Sequence, residues 1–109
     1  MINQTDRERV SQLIEVVGID NYRQMFAEYC RSAPFMAREI QQKSTQRHQL
    51  HPLKGMCYAV GLQSIGLKIQ SIEDLLSQGA QATASTYIEH LEADIKHGIE
   101  YVDNMLGFL

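Results

Sequence analysis

Each residue of a helix advances about 100 degrees around the axis, so His51, Lys54, Gly55 and Tyr58 fall on one face, beside an apolar stripe of Leu50, Leu53 and Cys57. An imidazole exposed next to a core, an ammonium one turn further on and a glycine without side-chain bulk combine a nucleophilic nitrogen, a countercharge and room. Those are the parts needed to carry a phosphoryl group on nitrogen, because phosphoryl transfer depends on alignment and charge neutralisation more than on covalent help from the protein. A fourth group joins them if the helices flanking Gly61 form an antiparallel hairpin. His51 stands ten residues before that glycine and Glu73 twelve after it, so the two come out nearly level. A carboxylate at that height accepts a hydrogen bond from Nδ1–H of His51 and leaves Nε2 free to attack phosphorus.

The elements that must hold these groups are read from hydrophobic periodicity. Val10, Leu13, Ile14 and Val17 share a face in a short N-terminal helix, about 6–17, which Gly18 ends. Asp20 is the expected N-cap of a longer helix with Tyr22, Phe26, Tyr29, Ala33, Met36 and Ile40 at helical spacing, kinked by Pro34. Gln42 to Ser44 form a tight connection, and Ser44 caps a helix whose stripe of Leu50, Leu53, Cys57 and Val60 runs to Gly61. Leu62, Ile65, Ile69, Ile72 and Leu76 repeat the pattern up to Gly79; a small, polar linker over Gln78 to Thr83 follows. Ile88, Leu91, Ile95, Val102 and Leu106 then line one long last helix. The expected architecture is all-α: an up-down antiparallel four-helix bundle over about 20–107 with an extra short N-terminal capping helix, one domain across 1–109. Gly66 and Gly98 each cost about 1 kcal/mol inside a helix and mark places where helices approach closely.

Composition narrows the function. A length of 109 residues suffices for one compact core and is too short for a catalytic domain plus a second module, so one domain is expected. Cys30 and Cys57 lie far apart with no paired spacing, which argues against a disulfide framework or a zinc knuckle, and both are expected as small buried hydrophobes. A net charge of -3 disfavours nucleic acid as a partner. No apolar run approaches the roughly 18 residues of a membrane span, and Met1 to Arg9 are too polar for a signal peptide, so the cytoplasm is the expected compartment, with no membrane contact by this domain. No acidic residue falls between Glu39 and Glu73, whereas Lys43, Arg47, Lys54 and Lys68 all do. That segment reads as a positive middle in an acidic chain.

The run His51-Pro52-Leu53-Lys54-Gly55, followed by Gly61 and the pair Ile72-Glu73, resembles the signature of histidine-containing phosphotransfer (HPt) domains, and the helical pattern from Asp20 onward is similar too. The resemblance implies a phosphorelay intermediate in two-component signal transduction. His51 would accept a phosphoryl group from the aspartyl phosphate of a receiver domain, such as that of a hybrid sensor kinase, and pass it to a response-regulator aspartate. It further implies that Lys54 assists the phosphoryl charge, that Gly55 and Gly61 permit close approach, and that Glu73 orients the imidazole. No cofactor belongs to the domain itself; Mg2+ is expected in the partner receiver. The resemblance is compatible with a free-standing protein and with the C-terminal module of a hybrid sensor kinase at the inner membrane.

Pro52 departs from the pattern: inside a helix it removes the bond to the His48 carbonyl at a cost of about 3 kcal/mol, so a kink is expected. Tyr58 and Met56 are bulky for the family and bear on the choice of receiver. The expected docking surface gathers Pro52, Met56, Tyr58 and Leu62 with Arg47 and Lys54 as a positive rim, suited to a carboxylate-rich receiver site and to a weak, transient complex of a monomer. The competing reading is a helical interaction domain in which His51 is merely exposed. A metal site built on His48 and His51 has too few ligands and a repelling Lys54, and His90 and His97 lie on another helix. No phosphate-cradling loop or nucleophile elbow supports an independent enzyme that binds ATP.

Overall fold

The computed structural model of the chain describes residues 2–107; Met1, Phe108 and Leu109 of the expected domain lie outside the described residues. Those residues are all-helical: α1 (Gln4–Val17), α2 (Ile19–Gln42), a 3-10 turn (Ser44–Gln49), α3 (Leu50–Ala59), α4 (Gln63–Ser77), α5 (Gln81–Glu89) and α6 (Leu91–Gly107). None of these helices is long and apolar enough to cross a membrane.

Three glycines with positive φ, Gly18, Gly61 and Gly79, stand at three of the turns between helices. At Gly61 the N–H of Gly61 bonds the carbonyl of Tyr58 and the N–H of Leu62 that of Cys57, the paired bonds of a Schellman stop. Gly79 and Ala80 repeat it on the carbonyls of Leu76 and Leu75. Gly18, at φ 88, both ends α1 and precedes α2. Asp20 is therefore not the N-cap that its residue type suggested. It sits in the first turn of α2, where its charge faces the positive end of the helix dipole. Pro34 lies inside α2, which is helical throughout from Ile19 to Gln42.

Ser44 is not a helix cap either. It opens the 3-10 turn, and the α-helix begins only at Leu50. Pro52 consequently lies in the first turn of α3, where its missing N–H would have had no intrahelical acceptor. The expected penalty disappears, because the chain changes from 3-10 to α ahead of the proline. The last helix also divides. At His90 (φ -97, ψ -1) the N–H turns back to the Tyr87 carbonyl, and the Glu89 carbonyl accepts a bond of 2.6 Å from Gln41 Nε2.

Cross-links set the directions of the helices. His51 with Glu73, Lys54 with Gln70, and Tyr58 with Gly66 step inward from both sides of Gly61, so α3 and α4 run antiparallel. Arg23 reaches the Leu106 carbonyl while Arg38 reaches Glu92, so α2 and α6 do likewise. Tyr22 Oη donates to the Val60 carbonyl at 2.7 Å and Tyr29 Oη lies 3.5 Å from Cys57 Sγ, which opposes α2 and α3. The core between them holds Tyr22, Tyr29, Leu53, Ile65, Ile69 and Ile95. Gly98 admits Ile65 and Leu62 against α6: a Cβ there would lie 2.8 Å from Ile65 Cδ1.

The short α1 is fastened by a buried carboxylate. Asp6 completes a capping box with Asn3 and also accepts bonds from Ser64 N (2.8 Å) and Ser64 Oγ (2.5 Å) at the start of α4. α4 has no side-chain cap of its own residues, so Asp6 supplies one from another helix.

Candidate functional site

Burial of Leu50, Leu53 and Cys57 turns the opposite side of α3 outward. His51 stands there with its side chain 77% exposed. Nδ1 lies 3.3 Å from Glu73 Oε2. An ionised carboxylate can only accept, so Nδ1 carries the proton in this contact and the lone pair falls to Nε2, which has no hydrogen-bond partner among the described residues. Glu73 comes from the facing side of α4, delivered by the register of the hairpin.

Lys54 is placed differently from an ammonium standing free beside the ring. Its side chain is only 12% exposed, and Nζ is 2.6 Å from Glu73 Oε1 and 2.6 Å from Gln70 Oε1. The contact to Gln70 is a directed hydrogen bond. Glu73 Oε1 is buried and has no directed hydrogen bond, so its tie to Lys54 is one of charge. Glu73 is thus held at one oxygen by an ammonium and offers the other to His51. Gln70 in turn donates through Nε2 to Asp74 Oδ1 at 2.9 Å. The five side chains form one chain of contacts from Asp74 to His51. Gln70 and Asp74 escaped the sequence reading, although the step of three that separates His51 from Lys54 also separates Glu73 from Gln70 across the hairpin.

Gly55, one turn beyond His51, is exposed, and a Cβ built on it would meet nothing within 4 Å. Packing within the chain therefore does not require a glycine there, although glycine weakens the helix by about 1 kcal/mol. The space at Gly55, one turn from His51, is left open.

The rest of the expected docking surface is corrected. Leu62 is fully buried: it follows the Schellman glycine, whose next residue turns an apolar side chain back onto the helix, and it packs over Gly98. Gly61 is buried too, and a Cβ there would lie 3.0 Å from Val10 N, so its close approach is to α1 and not to a partner. Arg47 is no free cation on a rim. Its guanidinium donates to Gln81 Oε1 (2.6 Å) and Ser85 Oγ (3.0 Å) and fastens the 3-10 turn to α5. Met56 is half-buried against the core. Tyr58 remains 38% exposed, its ring lying on Gly66, where a Cβ would meet Cε1 at 2.4 Å. Pro52 is exposed.

Three of the four cations of the positive middle meet acids in space, and Arg47 meets only neutral groups. Lys43 pairs with Glu39, Lys54 with Glu73 and Lys68 with Asp94, each acid lying outside the acid-free stretch. His48 turns Nδ1 to the Thr45 carbonyl at 3.0 Å, and no cluster of three or more potential metal ligands occurs among the described residues. Neither cysteine competes as a nucleophile. Burial pushes the Cys57 thiol up to about 11, and burial together with nearby Asp103 raises that of half-buried Cys30. Comparison of the chain with protein-family models, with curated proteins and with solved structures found no match.

Proposed function

We propose that this chain is a histidine-containing phosphotransfer module, a phosphorelay intermediate built as an up-down antiparallel four-helix bundle with α1 as its capping helix. The observation that carries the reading is the placement of His51, exposed and held at Nδ1 by a carboxylate that a lysine anchors from the other side. Nε2 attacks the phosphorus of a receiver's aspartyl phosphate in line with the leaving carboxylate oxygen. The N–P bond forms as the O–P bond breaks, and the aspartate leaves as a carboxylate. The Nδ1 proton stays on the ring and against Glu73, which compensates the positive charge that the ring acquires. In the reverse step a second receiver's aspartate attacks the same phosphorus and His51 returns to its neutral form.

Mg2+ belongs to the partner receiver in this scheme, and the module itself needs no cofactor and binds no ATP. Its partners are the receiver of a hybrid sensor kinase and a response regulator, met one at a time by a cytoplasmic monomer. Gly55 supports this part of the reading, because open space beside a nucleophile suits a second protein that must bring its own active site to within bonding distance. Relays of this kind turn over quickly, so the expected interface is small, below about 1,200 Å² in total.

The test is transfer from a purified phosphorylated receiver to the protein and to its His51→Gln variant. An acid-labile, alkali-stable label on the first and none on the second supports phosphohistidine at position 51. Equal labelling of both, or no labelling by a panel of receivers, returns the chain to a helical interaction domain that carries no phosphoryl.

A further inference from the structure

Resting on that reading, we infer that Gln70 is a positioning residue of the transfer site, acting on His51 through Lys54 and Glu73. A carboxylate on the flexible stem of Glu73 has no reason of its own to aim one oxygen at His51. It needs something on its other oxygen, and Lys54 Nζ stands 2.6 Å from it. An ammonium on four methylenes is itself mobile unless its donors are engaged. The directed bond that engages it is the one to Gln70 Oε1, at 2.6 Å. Gln70 therefore decides where the lysine rests, and the lysine decides how Glu73 is turned.

An amide side chain can present either end, and the arrangement specifies which. Asp74 Oδ1 accepts from Gln70 Nε2 at 2.9 Å, across one turn of α4. A carboxylate at that end admits only the nitrogen, so the oxygen must face Lys54. Asp74 is exposed and Gln70 half-buried, whereas Lys54 is almost covered. The series passes from a solvated acid that orients an amide, through an amide that holds a cation, to a cation that sets the catalytic carboxylate. Backbone register supplies the rest: Gln70 lies opposite Lys54 as Glu73 lies opposite His51, so no side chain has to stretch.

The arrangement also has a consequence for the phosphorylated state. Lys54 is one turn from His51, and a phosphoryl on Nε2 adds negative oxygens that compete with Glu73 and Gln70 for the ammonium. Gln70 is a neutral acceptor and releases the lysine more readily than a second carboxylate would. It holds Lys54 in place before transfer without locking it there afterwards.

The variant that tests this is Gln70→Met, which keeps the length and helix preference of the side chain and removes both amide groups. Maximal transfer rate and half-saturating receiver concentration are measured for the wild type, Gln70→Met, Lys54→Met and the double variant. The expected result is a maximal rate lower by roughly tenfold to a hundredfold in Gln70→Met, the scale of a misplaced group, with half-saturation unchanged. In the Lys54→Met background the same substitution should add nothing, because its route to His51 is gone. A full effect of Gln70→Met in that background, or none in the wild type, overturns the inference.

A second readout does not depend on transfer. The Lys54 ammonium, held by two partners, should give a resolved nitrogen-15 resonance in the unphosphorylated wild type, and Gln70→Met should abolish it. If the resonance persists in the variant, Gln70 does not position the lysine, whatever the phosphorylation assay yields. If the wild type takes no label while the resonance behaves as expected, the phosphotransfer reading fails and the side-chain chain stands.

Discussion

Replacing Asp6 by alanine should separate the stability of the protein from its chemistry. The wild-type carboxylate has no exposed surface and accepts from Ser64 N at 2.8 Å, Ser64 Oγ at 2.5 Å and Asn3 N at 3.0 Å. Hydrogen bonds to a charged group each contribute about 1.5–3 kcal/mol, but Asn3 is exposed and Ser64 half-buried, so water recovers part of the loss. A net cost of about 3–5 kcal/mol follows, in line with removing one partner of a buried charge network. That is a large share of the 5–15 kcal/mol typical of a domain. For an urea dependence of about 2 kcal/mol per molar, the unfolding midpoint should drop by roughly 2 M. Asp6→Asn should cost less, about 1–3 kcal/mol, because Oδ1 can still take the Ser64 N–H while Nδ2 is turned donor-to-donor against Asn3. Ser64 is more than two turns of α4 away from Glu73, so transfer per folded molecule should match the wild type in both variants. Urea titrations followed by helix ellipticity, with transfer assayed at low denaturant, supply the numbers. A change below about 0.5 kcal/mol for Asp6→Ala would show that this carboxylate does not fasten α1 to α4. A loss of transfer in the folded fraction would refute the claim that it acts only at the far end of α4.

Gly61→Ala should cost about 2–4 kcal/mol by thermal melting, since φ of 88 opposes any Cβ and the added carbon would lie 3.0 Å from Val10 N, a backbone atom that cannot swing aside. Hydrogen bonding from Arg38, aided by its charge and that of Lys96, holds the Glu92 carboxyl below its usual 4.5. A depressed carboxylate stabilises the fold above that value and ceases to do so as pH falls through the folded value, so the acid limb of a stability profile should flatten in Arg38→Met. Cys57, pushed up to about 11 by burial, should resist a thiol reagent at pH 8 until the chain opens, with a labelling rate that follows global unfolding as urea is added.

What was legible in the sequence was whatever depends on periodicity and on distance from a turn. The apolar stripes located the helices, and counting outward from Gly61 put Glu73 beside His51 because an antiparallel hairpin is nearly symmetric about its turn. The same symmetry would have paired Lys54 with Gln70, but a glutamine attracts no attention until its partner is known. Charge was the least legible property. Lys43, Lys54 and Lys68 look like a basic block only along the chain, and in space each meets an acid contributed from outside that block. Nearness to the motif suggests a surface position for Leu62, whereas its place immediately after a glycine stop is the local signal that it turns inward.

Helix boundaries are hidden in the sequence where a local rule has two outcomes. Ser44 can cap an α-helix or open a 3-10 turn, and the six residues of that turn carry no apolar stripe to separate the two. The choice has a consequence for the site. Because the α-helix starts at Leu50, His51 lies in the first turn of α3 and Pro52 directly after it, where a proline is accommodated without losing an intrahelical bond. On the proposed reading, Lys54 and the open surface at Gly55 would both favour a phosphoryl group at Nε2. Glu73, which would oppose it by charge, is paired with Lys54.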